Sequence, residues 1–75
     1  MDAFNITLGS ISDVKDFVNI VNKYSFDVDL TSGRYVVDAK SIMGIFSLDL
    51  SKPIKVDIHS GEAQELYDEM KRFKI

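Results

Sequence analysis

Apolar and polar residues alternate with a period of two in four stretches of the chain, and this pattern predicts half-buried β-strands. The predicted strands cover residues 4–8, 27–31, 34–39 and 53–58. Ser32 and Gly33 lie between the second and third stretches and are typical turn residues, so these two strands are predicted to form a hairpin. Pro53 suits the first position of a strand, where its missing N–H group does little harm.

Helical periodicity occupies the segments between these strands. The first helix is predicted from Ser10, whose spacing to Asp13 is that of a capped helix start, to about Tyr24. Its buried face follows the i, i+3, i+4, i+7 spacing and consists of Val14, Phe17, Val18 and Val21. The last helix is predicted to begin at residues 60–62 and to reach Phe73. Its solvated face carries three carboxylates, Glu62, Glu65 and Glu69.

A short helix over residues 41–48 completes the predicted order β-α-β-β-α-β-α. Each strand has one apolar face and each long helix has one apolar stripe, so a two-layer arrangement buries both. The expected fold class is α+β, with a four-stranded, mostly antiparallel sheet and the helices packed on one of its faces. We expect one domain over residues 1–75.

Composition excludes several classes of function. The net charge of −3 and the pI of about 4.9 argue against nucleic-acid binding, which needs a basic surface. No apolar run approaches the roughly 20 residues of a membrane span, and residues 1–8 lack the features of a signal peptide, so a soluble cytoplasmic protein is expected. The chain has no cysteine, no metal-ligand spacing and no Ser/His/Asp set. We therefore expect no metal, no cofactor and no enzymatic activity.

Candidate chemistry concentrates at the start of the short helix. Ser41 takes the N-cap position, where a hydroxyl contributes about 1 kcal/mol and where free N–H groups also favour a phosphate. Gly44 inside this helix indicates the close approach of a neighbouring element or of a partner. The apolar residues of the segment are predicted to form a partner-binding patch: Ile42, Met43, Ile45, Phe46 and Leu48. Alternatively, Ile42, Ile45 and Phe46 fill the core, and only one or two of the five are exposed.

This segment resembles the HPr family, the small phosphocarrier proteins of the bacterial sugar phosphotransferase system. The family's Lys-Ser-Ile-Met-Gly-Val-Met-Ser-Leu is here Lys40-Ser41-Ile42-Met43-Gly44-Ile45-Phe46-Ser47-Leu48, and weaker similarity extends from Asp16 to the end. The resemblance implies an open-faced β-sandwich with two phosphorylation sites. A histidine at the start of the first helix carries phosphate from phosphoenolpyruvate, and a dedicated kinase phosphorylates a serine at the position of Ser41.

The histidine position of the family falls on Ser10 when the chain is aligned without gaps from Ser41. The family's loop, roughly Gly-Leu-His-Ala-Arg-Pro-Ala, is here Leu8-Gly9-Ser10-Ile11-Ser12-Asp13-Val14, without His or Arg. Serine cannot replace the imidazole, because a phosphoserine ester is far more inert than a phosphoramidate. The family's arginine, which suits a phosphate, is also lost, and Asp13 adds a repelling charge. His59, the only histidine, is predicted to be an exposed residue at the end of the last strand.

The leading hypothesis is an HPr-like regulatory or docking protein of the phosphotransferase system or of carbon catabolite control. It would lack phosphohistidine carrier activity and be phosphorylated on Ser41, as in the similar catabolite-repression HPr-like proteins. The resemblance implies HPr kinase, a catabolite control protein or phosphotransferase components as partners, and a second copy of the chain is a further candidate. Two alternatives are an unmodified protein-binding module of the HPr fold and a phosphocarrier with an unconventional acceptor.

Overall fold

The computed structural model describes residues 3–75 and follows the predicted order β-α-β-β-α-β-α, which is confirmed. A 3-10 turn, Lys71–Phe73, extends the last helix. The elements are β1 (Phe4–Ile6), α1 (Ile11–Val21), β2 (Val28–Ser32), β3 (Tyr35–Asp38), α2 (Ile42–Phe46), β4 (Ile54–Ile58) and α3 (Gln64–Met70). Met1 and Asp2, which belong to the predicted domain and to the segment compared with signal peptides, lie outside the described residues.

The sheet has the strand order β1-β4-β2-β3, and all of its pairings are antiparallel. Val56 lies opposite Phe4 on one side and opposite Leu30 on the other, which places β4 in the centre. The predicted hairpin joins β2 to β3 through Gly33, whose φ of 59° is the left-handed conformation that glycine adopts without strain. The α+β class with a four-stranded antiparallel sheet is therefore confirmed.

The core lies between one face of the sheet and the helices. The sheet contributes Ile6, Val28, Leu30, Ile54, Val56 and Ile58, and the two longer helices contribute Val14, Phe17, Val21, Leu66 and Met70. The rings of Phe17 and Phe73 meet edge to face, with centroids 5.7 Å apart. Such aromatic pairs stabilise a fold by about 0.5–1.5 kcal/mol beyond their burial. Val18, predicted on the buried face of α1, is only partly buried at the edge of the core.

The first strand and the first helix are both shorter than predicted. β1 ends at Ile6, although Leu8 is buried beyond it. α1 ends at Val21 rather than near Tyr24, because Asn22 caps it. The backbone N–H and the side-chain Nδ2 of Asn22 both donate to the carbonyl oxygen of Val18, at 3.0 Å and 2.9 Å. Lys23 and Tyr24 then donate to the i−3 carbonyls of Ile20 and Val21, both at 3.1 Å, and these tighter turns end the helix.

The last helix begins at Gln64 rather than at residues 60–62. Ser60 does not cap it, because its Oγ accepts the N–H of Glu62 at 3.1 Å in a separate turn. Glu69 was predicted on the solvated face but is half-buried, because its carboxylate accepts hydrogen bonds from Lys23 Nζ and the Tyr24 hydroxyl. The other two predicted surface carboxylates, Glu62 and Glu65, are exposed.

Candidate functional site

Ser41 occupies the N-cap position of α2, as predicted. Its Oγ accepts the N–H of Gly44 at 3.1 Å, while its own backbone N–H donates to the Asp38 carbonyl at 3.0 Å. Its side chain is exposed at the surface. The hydroxyl therefore caps the helix and is also accessible to an enzyme from solvent.

Gly44 is required by the packing around this cap. A Cβ atom at this position would lie 3.2 Å from Ser41 Oγ and 3.3 Å from Val37 Cβ. Both distances are shorter than an ordinary van der Waals contact. The close approach indicated by the sequence is thus made by β3 and by the cap itself, so the glycine lets α2 lie against the sheet.

The partner-binding patch predicted between Ile42 and Leu48 has fewer exposed residues in the structure than expected. Ile45 is 0% exposed and Leu48 is 7% exposed, so both belong to the core and the prediction that they form a contact surface is wrong. Ile42 is half-buried. Met43 and Phe46 remain exposed, at 76% and 40%. A helix of this length has little more than one turn, so one side of it lies on the sheet and the other faces solvent.

Ile11 lies beside these residues and was not among the predicted contact residues. It is 65% exposed at the first position of α1, and it lines a groove of about 640 Å³ together with Phe46. The rest of the groove is formed by Thr7, Leu8, Gly9, Ser10, Leu50 and Ser51. Met43 neighbours Phe46 at the i, i+3 spacing on α2. We refer to Ile11, Met43 and Phe46 as the apolar patch. The signal for Ile11 in the sequence is an apolar residue directly after a helix cap.

Ser10 is the N-cap of α1, and its hydrogen bonds are local. Its Oγ accepts the N–H of Asp13 at 3.0 Å. The Asp13 carboxylate in turn accepts the N–H of Gly9 at 3.3 Å. The two bonds satisfy the N–H groups of Asp13 and of Gly9 at the helix start. They also hold a negative charge one helical turn from the Ser10 hydroxyl, where a phosphate would be repelled.

His59 is exposed at the end of β4, as predicted, but it has an acidic partner. Its Nε2 lies 2.9 Å from Asp29 Oδ2. β2 pairs with β4, and this register brings the two side chains to the same sheet face. β4 begins at Ile54, which lies opposite Ile6 and is about 16 Å from His59 along the strand. His59 is therefore at the opposite end of the sheet from the loop that contains Ser10.

Within residues 3–75, no group of three His, Cys, Asp or Glu side chains is placed to hold a metal ion. None of the helices in this part of the chain is long and apolar enough to cross a membrane. Every buried side chain of the described core is apolar. The chemistry available to the protein therefore lies in exposed side chains and in what can dock beside them.

Structural comparison finds the same fold in HPr proteins. HPr-C-His from Thermoanaerobacter tengcongensis is similar over 96% of this chain and 89% of its own, with a TM-score of 0.80 and 24% identity. The phosphocarrier protein HPr from Bacillus anthracis str. Ames is similar over 99% of this chain and 96% of its own, with a TM-score of 0.71 and 20% identity. No curated protein sequence matches the chain.

A family model described as the PTS HPr component phosphorylation site matches residues 13–74. The matched residues include Ser41 and the whole of α2, whereas Ser10 precedes them. HPr proteins are phosphocarriers rather than enzymes. Because the match covers most of the sequence, the chain belongs to the HPr family of the phosphotransferase system.

Proposed function

We propose that this protein is an HPr-like regulatory and docking protein that does not carry phosphate on histidine. Its role lies in the phosphotransferase system or in carbon catabolite control, in the cytoplasm, and Ser41 is its phosphorylation site. The observation that carries the proposal is the position of Ser41, which is exposed at the start of α2 and followed by the exposed Met43 and Phe46. This arrangement occurs in the segment that most resembles the family.

Two features speak against a phosphohistidine carrier. The resemblance puts Ser10 at the family's histidine position, and the Ser10 hydroxyl is engaged by the N–H of Asp13, whose carboxylate accepts the N–H of Gly9. His59 pairs with Asp29, which alternates with the buried Val28 and Leu30, so His59 is on the sheet face away from the helices that carry the apolar patch. A transferase that docks at the start of α1 would therefore meet a serine and a carboxylate.

Phosphorylation would change the surface without requiring a new fold. The kinase would transfer the γ-phosphoryl group of ATP to Ser41 Oγ, which releases its proton and leaves ADP. The ester adds about −1.5 to −2 charge next to apolar side chains. Partners that bury Met43 and Phe46 would then bind more weakly, and partners with an arginine beside their apolar contact would bind more strongly. Candidate partners are HPr kinase, a catabolite control protein and components of the phosphotransferase system.

The direct test compares two sources of phosphate. One sample receives phosphoenolpyruvate and the general transferase, and the other receives HPr kinase and ATP; phosphate is then located by mass spectrometry. We expect phosphate on Ser41 from the kinase alone. Ser47→Ala is the matched control for Ser41→Ala, because Ser47 is an exposed serine at the other end of α2. Only Ser41→Ala should abolish the modification.

Two results would overturn the proposal. Phosphate on His59 or Ser10 from phosphoenolpyruvate would make the protein a phosphocarrier with an unconventional acceptor. Absence of kinase-dependent phosphate on Ser41, with an HPr protein modified in parallel, would leave Ser41 as a helix cap only.

A second candidate function is an unmodified protein-binding module, and the exposed apolar patch favours it. Ile11, Met43 and Phe46 present apolar area next to a groove of about 640 Å³. Met43→Glu and Phe46→Glu should abolish partner binding, whereas Asn5→Glu, at an exposed site on the sheet's other face, should not. If Ser41→Ala then leaves binding and its regulation intact, this second function replaces the first.

A further inference from the structure

The two edges of the sheet differ in how they are covered. β1 is flanked by the C-terminal segment, where the Ile75 N–H donates to the Asn5 carbonyl at 3.1 Å and the Thr7 N–H donates to the Phe73 carbonyl at 2.9 Å. Ile6 also forms a β-bridge with Lys74. At the opposite edge, no strand within residues 3–75 pairs with the outer side of β3. An uncovered edge strand is a template for pairing with another chain.

β3 exposes apolar side chains at this free edge. Tyr35 is 70% exposed and Val36 is 63% exposed. The register pairs Ser32 with Tyr35 and Leu30 with Val37, on either side of the pair formed by Thr31 and Val36. In a two-residue hairpin the pair that closes the turn exchanges hydrogen bonds, and such pairs then alternate along the ladder. The N–H and C=O groups of Val36 consequently point away from β2, as does the N–H of Asp38.

We propose that β3 binds β3 of a second copy of this chain, antiparallel and centred on Val36. β3 and Arg34, the turn residue directly before it, are together complementary to the same residues of a second copy in this register. Arg34 of each copy lies opposite Asp38 of the other, so the pairing forms two ion pairs. Val36 faces its own equivalent across the two-fold axis, and Tyr35 faces Val37.

The hydrogen-bonding groups agree with this register. The N–H and C=O groups of Val36 point outward and can exchange hydrogen bonds with the same groups of Val36 in the second copy. A residue that lies on the two-fold axis in a hydrogen-bonded pair must make both of these bonds. The N–H of Asp38 faces the Arg34 carbonyl of the other copy. The Asp38 carbonyl already accepts the Ser41 N–H, so pairing ends there. The result is one continuous sheet with the helices of both copies on the same face.

The dimer is weak and depends on concentration. β3 has four residues, and each chain has a net charge of −3 that opposes association. At about 0.15 M salt the Debye length is about 8 Å, so the repulsion between the net charges of the two chains is largely screened. The ion pairs between Arg34 and Asp38 act over a shorter distance and are screened less. The monomer–dimer equilibrium should therefore be measured in moderate salt at high protein concentration.

A charge exchange tests the register. Arg34→Asp alone places acids opposite acids, and Asp38→Lys alone places bases opposite bases, so each variant should lose the dimer. An equimolar mixture of the two variants restores both ion pairs, and sedimentation equilibrium should show association about tenfold tighter than for either variant alone. Circular dichroism of each variant checks that the fold is intact. A mixture that associates no better than its components would overturn the proposed register.

Cysteine cross-linking provides an independent measurement, because the chain has no cysteine. Facing residues of a hydrogen-bonded antiparallel pair have Cα atoms about 5.5 Å apart, which a disulfide can span. Val36→Cys should therefore oxidise to a covalent dimer faster than Lys55→Cys, an exposed position on the same sheet face in the central strand. Ile11→Cys reports on dimers formed through the apolar patch. Cross-linking of Ile11→Cys or Lys55→Cys as fast as Val36→Cys would overturn the proposal.

Discussion

Ile45→Ala should destabilise the protein by about 2–3 kcal/mol, whereas Met43→Ala, on the same short helix, should change stability by less than about 0.5 kcal/mol. Both side chains are apolar, and what separates them here is their surroundings. Ile45 is 0% exposed and lies in the core, while Met43 is 76% exposed on the solvent side of α2. The pair therefore separates the residue that anchors the helix from a residue that is available to a partner.

The magnitude follows from the atoms removed. Ile45→Ala deletes Cγ1, Cγ2 and Cδ1 from the core, and each buried carbon is worth about 0.8 kcal/mol. A cavity adds to this cost, but α2 is exposed on its outer side and can move inward, which limits the cavity. A domain of 75 residues has a total stability of about 4–11 kcal/mol. The substitution thus removes a substantial fraction of it.

Urea denaturation followed by far-ultraviolet circular dichroism measures both variants. We expect the midpoint for Ile45→Ala to fall with an unchanged m-value, which indicates lost stability and not a change in the denatured state. A cost below about 1 kcal/mol for Ile45→Ala would contradict the assignment of Ile45 as the anchor of α2. An equal cost for Met43→Ala would contradict the exposure of the patch on which the proposed docking rests.

Further measurements test individual local structures. Ser10→Ala should cost about 1 kcal/mol by urea denaturation, because the Asp13 N–H loses its acceptor, and Ser10→Asn should cost less. Gly33→Ala should cost about 1–2 kcal/mol, because φ is 59° there, and Gly33→Asn should cost less than that. The hydrogen bond to Glu69, with burial and the charges of nearby carboxylates, raises the pKa of Tyr24 from 10.0 to about 12, so an NMR titration of the Tyr24 ring should show no ionisation near pH 10. The hydrogen bonds from Lys23 and then from Tyr24 lower the pKa of Glu69, so the contact contributes stability that is present above pH 4.5 and is lost on acidification. Urea denaturation measured at a series of pH values should show this acid-induced loss of stability in the unaltered protein and not in Glu69→Gln.

Local signals in the sequence predicted the features that depend on neighbouring residues. The caps at Ser10 and Ser41 involve residues three positions apart, and the structure has both of the predicted bonds. The hairpin follows from turn residues between two alternating stretches. The element order follows from periodicity alone. In each case the interaction that decides the structure lies within a few residues of the signal.

The features that the sequence did not predict depend on distant contacts. Glu69 was assigned to a solvated face, but it binds Lys23 and Tyr24, which are more than forty positions away. His59 gains Asp29 as a partner only through the pairing of β2 with β4. The way α2 lies on β3 decides that Ile45 is buried and Met43 is exposed. A helix of little more than one turn is too short for its periodicity to predict this difference in burial.

The two serines that cap α1 and α2 differ in a way that bears on phosphorylation. The first turn of α1 carries Asp13, whose charge faces the cap, whereas the first turn of α2 has no acidic residue. A phosphate on Ser10 would be repelled by Asp13 and would disrupt the bond from the Asp13 N–H to Ser10 Oγ. A phosphate on Ser41 would lie at the N–H groups of α2, whose first turn carries no carboxylate. The variant Asp13→Asn consequently tests which of two causes restricts phosphorylation to Ser41: the charge of Asp13 beside Ser10, or recognition of the Ser41 segment by the kinase. If a kinase modifies Ser41 alone in the unaltered protein and gains activity on Ser10 in the variant, the charge of Asp13 is what restricts modification to the second site.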